Sequence, residues 1–327
     1  MERYLLKTIL LTNLYTSRPL EIVRDELPSG FELCFLSEQT QEAINNEVSS
    51  ADYILAGGRL KITKEVLDNA PKLKMIQRSG VGLDALDLNA IRAKGIPLYV
   101  NQGVNAQSVA EHTLLLILAS LRRLPIIAAN TKNGIWNKQG QGILTSELHG
   151  KTVGIIGMGS IARTLVGLLH PFGVKILYFD VVQADAEFEK TNNMSFVSLD
   201  ELFAGSDIIS VNCALTEGTR HLINADTIAK MKDGVILVNT ARGGIVDTKS
   251  VADALESGKL GFAALDVHEE EPLPKDHILY KFDNVILTPH IGGVTGDSFR
   301  AMMRAAFRNI EKFDKGELDG IEQYRYI

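Results

Sequence analysis

Along the first hundred residues, short apolar runs alternate with stretches whose apolar positions recur at helical spacing. Runs at 7–12, 32–36, 52–56, 74–77 and 96–100 predict buried strands, and 64–70 and 86–94 predict helices between them. A long apolar helix is predicted over 106–124, and a glycine-rich stretch fills 133–150. Strand-like runs then return at 152–156, 174–179, 206–211, 234–239, 262–265 and 284–288, followed by a final helix over 297–315. Strand alternating with helix implies parallel sheets covered on both faces. The fold class is therefore α/β, with two doubly wound parallel-sheet domains and ligand expected in the cleft between them. The most apolar run, 114–121, is too short to span a bilayer and is followed by Arg122-Arg123, so it reads as a buried helix.

One junction carries chemistry. The strand 152–156 runs into Gly157-Met158-Gly159, which opens a helix. Such a turn aims the first N–H groups of the helix at one point, where they hold a pyrophosphate. Gly157 permits the tight turn, Gly159 lets backbone approach phosphate, and Ala162 lets the helix sit close to its strand. The next strand ends in Asp180, roughly 20 residues beyond the glycines, where a carboxylate accepts from a ribose 2′-hydroxyl. Val181-Val182-Gln183 supply no cation for a 2′-phosphate, so NAD is expected over NADP.

Composition narrows the partners. A chain of 327 residues has room for two cores, and its 45% hydrophobic and 23% charged content is that of a soluble globular protein. A net charge of −6 offers no basic stripe, so neither nucleic acid nor an anionic membrane is an expected partner. Cys34 and Cys213 are too few and too far apart for a disulfide framework, and no metal site is expected. A reducing cytoplasm fits, and the first residues lack the apolar core of a signal peptide.

Three further segments place polar residues just past strand ends: Arg242 before two glycines, Asp266 to Glu271, and His290. Singly, each has a plain alternative. Arg242 reads as a solvated charge, Glu269-Glu270-Glu271 as an acidic loop, and His290 as a structural histidine. Together, an Arg, a carboxylate and a His at one sheet edge beside a dinucleotide form a dehydrogenase site.

At this point the chain resembles the D-isomer-specific 2-hydroxyacid dehydrogenases over nearly its whole length. The segments that carry the likeness are 78–84 (RSGVGLD), 105–112 (NAQSVAEH), the glycine turn, 239–244 (NTARGG), 266–272 and 288–293 (TPHIGG). The resemblance implies a Rossmann NAD domain at 102–299, inserted in a flavodoxin-like substrate domain formed by 1–101 and completed by 300–327. It implies an NAD-dependent interconversion of a small D-2-hydroxy acid and its 2-oxo acid, in a homodimer. Arg242 is implied to grip the substrate carboxylate and carbonyl, and His290 to act as general acid and base. Glu271 would orient the imidazole and favour its charged form. Ser160 and Ile161 are implied to meet the pyrophosphate. Cys213, Thr240, Ala241, Gly292 and Gly293 would line the cofactor groove, and Asp266 would contact the nicotinamide end. Val81 and Gly82 are implied to bind the substrate carboxylate through backbone amides, with Arg78 nearby.

The chain departs from that pattern in places. Ala162 stands where many members have a third glycine. Gly57 lies where the phosphoglycerate dehydrogenases carry Arg-Ser, so recognition of a substrate phosphate would fall to Arg59 and Arg78. An alternative reading of the same fold is a non-catalytic, NAD-sensing binding protein.

Overall fold

A computed structural model describes residues 6–58 and 60–327. The chain divides into two compact units, one formed by residues up to Asn105 with Val294–Ile327, the other by Ala106–Gly293. Asn101 is tied to the first unit, where its backbone and side-chain amides bond the Gly80 and Ser79 carbonyls. The return begins at Thr295, which caps the last helix, Gly296–Lys315, in a capping box with Ser298.

In the first unit, strands β1 (Lys7–Leu11), β2 (Phe31–Phe35), β3 (Tyr53–Ala56), β4 (Met75–Arg78) and β5 (Leu98–Tyr99) form a parallel sheet in the order β2-β1-β3-β4-β5. This is the flavodoxin-like winding. Every residue of β3 is buried, which is why it reads as a continuous apolar run. Met303, Ala306, Phe307 and Ile310 of the last helix pack with Ile9, Leu11, Tyr53 and Tyr99 in one core cluster.

In the second unit, β6 (Thr152–Ile156), β7 (Lys175–Phe179), β8 (Met194–Phe196), β9 (Ile208–Val211), β10 (Val235–Asn239), β11 (Leu260–Leu265) and β12 (Val285–Leu287) are all parallel. Their order, β12-β11-β10-β9-β6-β7-β8, reverses direction at β6, the strand that feeds the glycine turn. β8 was not foreseen. It is a three-residue edge strand with one buried position, too short and too polar to leave a periodic signal.

The predicted helix over 106–124 is corrected to two helices, Ala106–Leu121 and Leu124–Lys132, bent by 62° at Arg123, whose φ is 47°. Pro125 cannot donate the amide that would continue the first helix. The first helix packs Ala110, Leu116 and Ile117 into the core around Ala162 and Val153. Among the described residues, no single helix is long and apolar enough to cross a membrane.

Candidate active site

The glycine turn has two different glycines. Gly157 sits at φ 94°, and a Cβ there would lie 2.6 Å from the Cys213 amide nitrogen, so the fold itself demands glycine. Gly159 has an ordinary backbone, and a Cβ there would meet no protein atom within 4 Å. It caps the helix Ser160–Leu169 without a side-chain oxygen, and no acidic residue occupies the first turn. The positive end of that helix therefore has no side-chain acceptor of its own, beside space that a side chain would fill. Ser160 is exposed and Ile161 half-buried at this end, while Ala162 is fully buried in the core.

Asp180 stands at the end of β7. One oxygen accepts from the Met158 amide at 2.5 Å and the other from the Val181 amide at 2.6 Å. The carboxylate thus ties the turn after β6 to the end of β7. Cys213 follows β9, and burial pushes its thiol up to about 11.

Arg242 follows β10 in extended backbone. Asn239, fully buried at the end of that strand, braces it: the Asn239 side chain donates to the Arg242 carbonyl and accepts from the Ala241 amide. The Arg242 guanidinium itself donates to the Ala241 carbonyl at 2.7 Å. Thr240 turns inward, its hydroxyl 2.8 Å from that of Thr113. Asn239 was not singled out from sequence; its signal is a buried-strand pattern ending in an amide side chain.

His290 and Glu271 meet. His290 Nδ1 lies 3.0 Å from Glu271 Oε2, and Glu271 Oε1 accepts from the His268 amide at 3.0 Å. His290 is left-handed, with φ 58°, a conformation most side chains avoid. It is held there by its own amide, which donates to the Asp266 carbonyl at 2.7 Å. The imidazole is about half exposed, while Glu271 is mostly covered.

Asp266 is 1% exposed, and both of its oxygens face inward. They accept from the Thr288 hydroxyl, the Ile291 amide and the Gly292 amide, with His112 Nε2 at 3.4 Å. Gly292 is buried against this carboxylate, and a Cβ there would lie 3.0 Å from Asp266 Oδ2. Asp266 and Gly292 therefore shape the His290 loop from behind. Gly293 is half-buried at the end of that loop. His112 and Thr288 lie inside sequence segments already noted, yet neither was assigned a role.

In the first unit, Arg78 ends β4. Its Nε donates to the Gly82 carbonyl at 2.7 Å and one terminal nitrogen to the Ala56 carbonyl at 3.2 Å. These bonds hold it against the backbone of the loops after β3 and β4. Val81 is exposed at the tip of the second loop and Gly82 is half-buried. Gly57 and Gly58 press on Asn13, with a Gly58 Cβ placed 2.1 Å from Asn13 Oδ1. Arg59 lies outside the described residues.

Residues 114–292 match the family described as D-isomer specific 2-hydroxyacid dehydrogenase, NAD binding domain. The chain belongs to the D-isomer-specific 2-hydroxyacid dehydrogenase family. A glyoxylate reductase of Thermofilum pendens is 40% identical over 281 residues, which are 85% of this chain and 83% of that one. A hydroxypyruvate reductase of Thermotoga maritima is 39% identical over 82% of this chain and 85% of its own. The crystal structure of a D-lactate dehydrogenase from Aquifex aeolicus, complexed with NAD and lactic acid, superposes with a TM-score of 0.84. It is 32% identical, over 98% of each chain. Like other members of the family, the dehydrogenase is an NAD-dependent oxidoreductase acting on the CH–OH group of hydroxy acids. The residues present fit that cofactor: the open Gly159 position and the helix end without an acceptor suit a pyrophosphate, and Asp180 suits a free ribose.

Asp266 gives this dehydrogenase a measurable pH signature. Burial works to raise its pKa, but the bonds from His112, Thr288 and the two loop amides prevail and hold it at about 2, below the ordinary 3.8. A depressed folded pKa means stability that is present above pH 4 and lost as pH falls toward 2. The amount is about 2 kcal/mol. The stability gap between the parent and Asp266→Asn, from urea unfolding, should therefore narrow by about that much between pH 5 and pH 2. A gap independent of pH would mean that the carboxylate charge does not hold the loop.

Proposed function

We propose that the enzyme interconverts a small, unphosphorylated D-2-hydroxy acid and its 2-oxo acid. The reading is carried by the His290–Glu271 pair at 3.0 Å, on the same sheet edge as the braced Arg242. The Arg242 guanidinium holds the substrate carboxylate and polarises the carbonyl, since its planar fork matches two oxygens at once. His290 donates a proton to the forming alkoxide in reduction and accepts it in oxidation. Glu271 fixes the imidazole with Nδ1 turned inward, leaving Nε2 for the substrate. Bound NAD supplies the hydride acceptor, and NADH the donor.

For the cofactor, Ser160 and Ile161 give amides to the pyrophosphate and Asp180 accepts from the ribose. Cys213, Thr240, Ala241 and Gly293 line the groove mainly through backbone, with Asp266 and Gly292 shaping it from behind. In the first unit, Val81 and Gly82 offer amides to the acid, and Arg78 holds their loop in shape. Gly57 and Gly58 stand where the phosphoglycerate dehydrogenases carry Arg-Ser, so neither position supplies a phosphate-binding side chain. The names of two relatives, a glyoxylate reductase and a hydroxypyruvate reductase, point the same way.

A panel of 2-oxo acids with NADH and NADPH tests the reading. Turnover of glyoxylate or hydroxypyruvate is expected, with kcat/KM at least about tenfold higher for NADH, because Asp180 repels a 2′-phosphate. No turnover of any acid would leave a non-catalytic NAD-binding protein; equal use of NADPH would remove Asp180 from the ribose.

We also propose a homodimer. Ile135, Trp136, Ile143 and Leu144 form an exposed apolar group around the short helix Lys138–Gly142, with Trp136 84% exposed. Exposed aromatic and aliphatic residues gathered together suit a contact between copies. Trp136→Asp should convert the dimer to monomer in sedimentation; a parent that already sediments as a monomer would rule the proposal out.

A further inference from the structure

Behind Arg242, the backbone that carries it touches the backbone that carries Glu271. A Cβ on Gly243 would fall 1.9 Å from the carbonyl carbon of His268 and 2.5 Å from the Glu269 amide, so no side chain fits between the two loops. Glu269 then fastens them. One of its oxygens lies 2.7 Å from His221 Nε2, and the other accepts from the Thr248 amide at 3.0 Å.

His221 is anchored to the Arg242 side of this junction. Its amide donates to the Gly244 carbonyl at 2.9 Å, and Ile223 pairs with Ile245 one step on. Its carbonyl accepts from Asn224, and its φ of 49° is again the left-handed region, held by these bonds. Asp247, which lies beside His221 and Glu269, caps the helix Thr248–Ser257 by accepting from the Ser250 amide. Two residues beyond Glu269 stands Glu271, which holds His290.

We propose that His221 and Glu269 are positioning residues that clamp the Glu271 loop onto the Arg242 turn. They set the spacing between the group that grips the acid and the group that gives the proton. The inference rests on the roles given above to Arg242, Glu271 and His290. The pair is 43% and 33% exposed, so as an ion pair it adds little to stability. Its value lies in geometry, because small misplacements of reacting groups cost rate steeply.

The test uses the full-length enzyme with NADH and glyoxylate, or whichever panel acid is turned over fastest. His221→Ala and Glu269→Ala should each lower kcat per titrated NADH site about tenfold, with NADH affinity changed less than twofold. The double variant should be no slower than Glu269→Ala, which already removes the His221 contact together with the Thr248 one. His221→Gln, which keeps an amide donor, should recover most of the rate. Counting active sites by NADH titration separates positioning from damage, because partial unfolding lowers the number of sites and not the turnover of each. Unchanged kcat, additive losses, or losses confined to the number of sites would overturn the clamp. Glu271→Ala and His290→Ala serve as controls. If they turn over like the parent, the underlying assignment fails and the clamp with it. If they are slow while the His221 and Glu269 variants are not, the clamp alone fails.

Discussion

His290→Ala is expected to lose reduction of the 2-oxo acid by about a thousandfold or more in kcat, while NADH binding changes little. The imidazole is the one proton donor assigned to the reaction, and placed general acids contribute about 10²–10⁴ in rate. Glu271→Gln is the more searching variant. It keeps the side chain's shape and a hydrogen-bonding oxygen but removes the charge beside Nδ1. Without that charge the proton-donating imidazole is held less firmly, so reduction should slow about tenfold in the Gln variant. Stopped-flow reduction, parent against variant, checks this. If both reduce the acid equally fast, Glu271 does not act on His290 through its charge. The structure has already turned Glu269 elsewhere, to His221 and Thr248, so that residue is not the substitute.

Arg242→Lys should reduce kcat/KM for the acid about a hundredfold, or roughly 2.7 kcal/mol of transition-state stabilisation. An ammonium keeps the charge but cannot present two parallel N–H groups to carboxylate and carbonyl together. The backbone of the turn should survive, because Asn239 braces it through the residue 241 amide and the residue 242 carbonyl, which the substitution leaves in place. NADH affinity should therefore stay near that of the parent. Steady-state kinetics with a titration of NADH decides the matter, and a Lys variant as fast as the parent would mean that Arg242 does not grip the acid.

Much of this site was legible in the sequence because it sits where periodic runs stop. Gly157, Asp180, Arg242 and His290 each follow a strand whose apolar pattern is unambiguous, and the strand ends locate them. What could not be read were residues whose work depends on a distant partner. Asn239, Thr288 and His112 look like ordinary polar positions until the sheet brings them to Arg242 and Asp266. Arg78 shows the same dependence: its bonds to the Ala56 and Gly82 carbonyls join two loops that lie far apart in the sequence. The different duties of Gly157 and Gly159 were legible from their places in the turn, and the surrounding atoms give the physical reason for each. The break at Arg123 was missed because apolar spacing continues across it, leaving Pro125 as the single warning.

The strand order of the second sheet divides its labour. Asp180 hangs from β7, on one side of β6, where the order reverses; Arg242, Glu271 and His290 follow β10, β11 and β12, on the other. The part proposed to choose between two cofactors and the part proposed to move a proton thus share no strand and none of the hydrogen bonds described above. An engineer who recodes Asp180, Val181 and Val182 for a phosphorylated ribose is working on a separable module, and turnover per bound cofactor should come through the change intact.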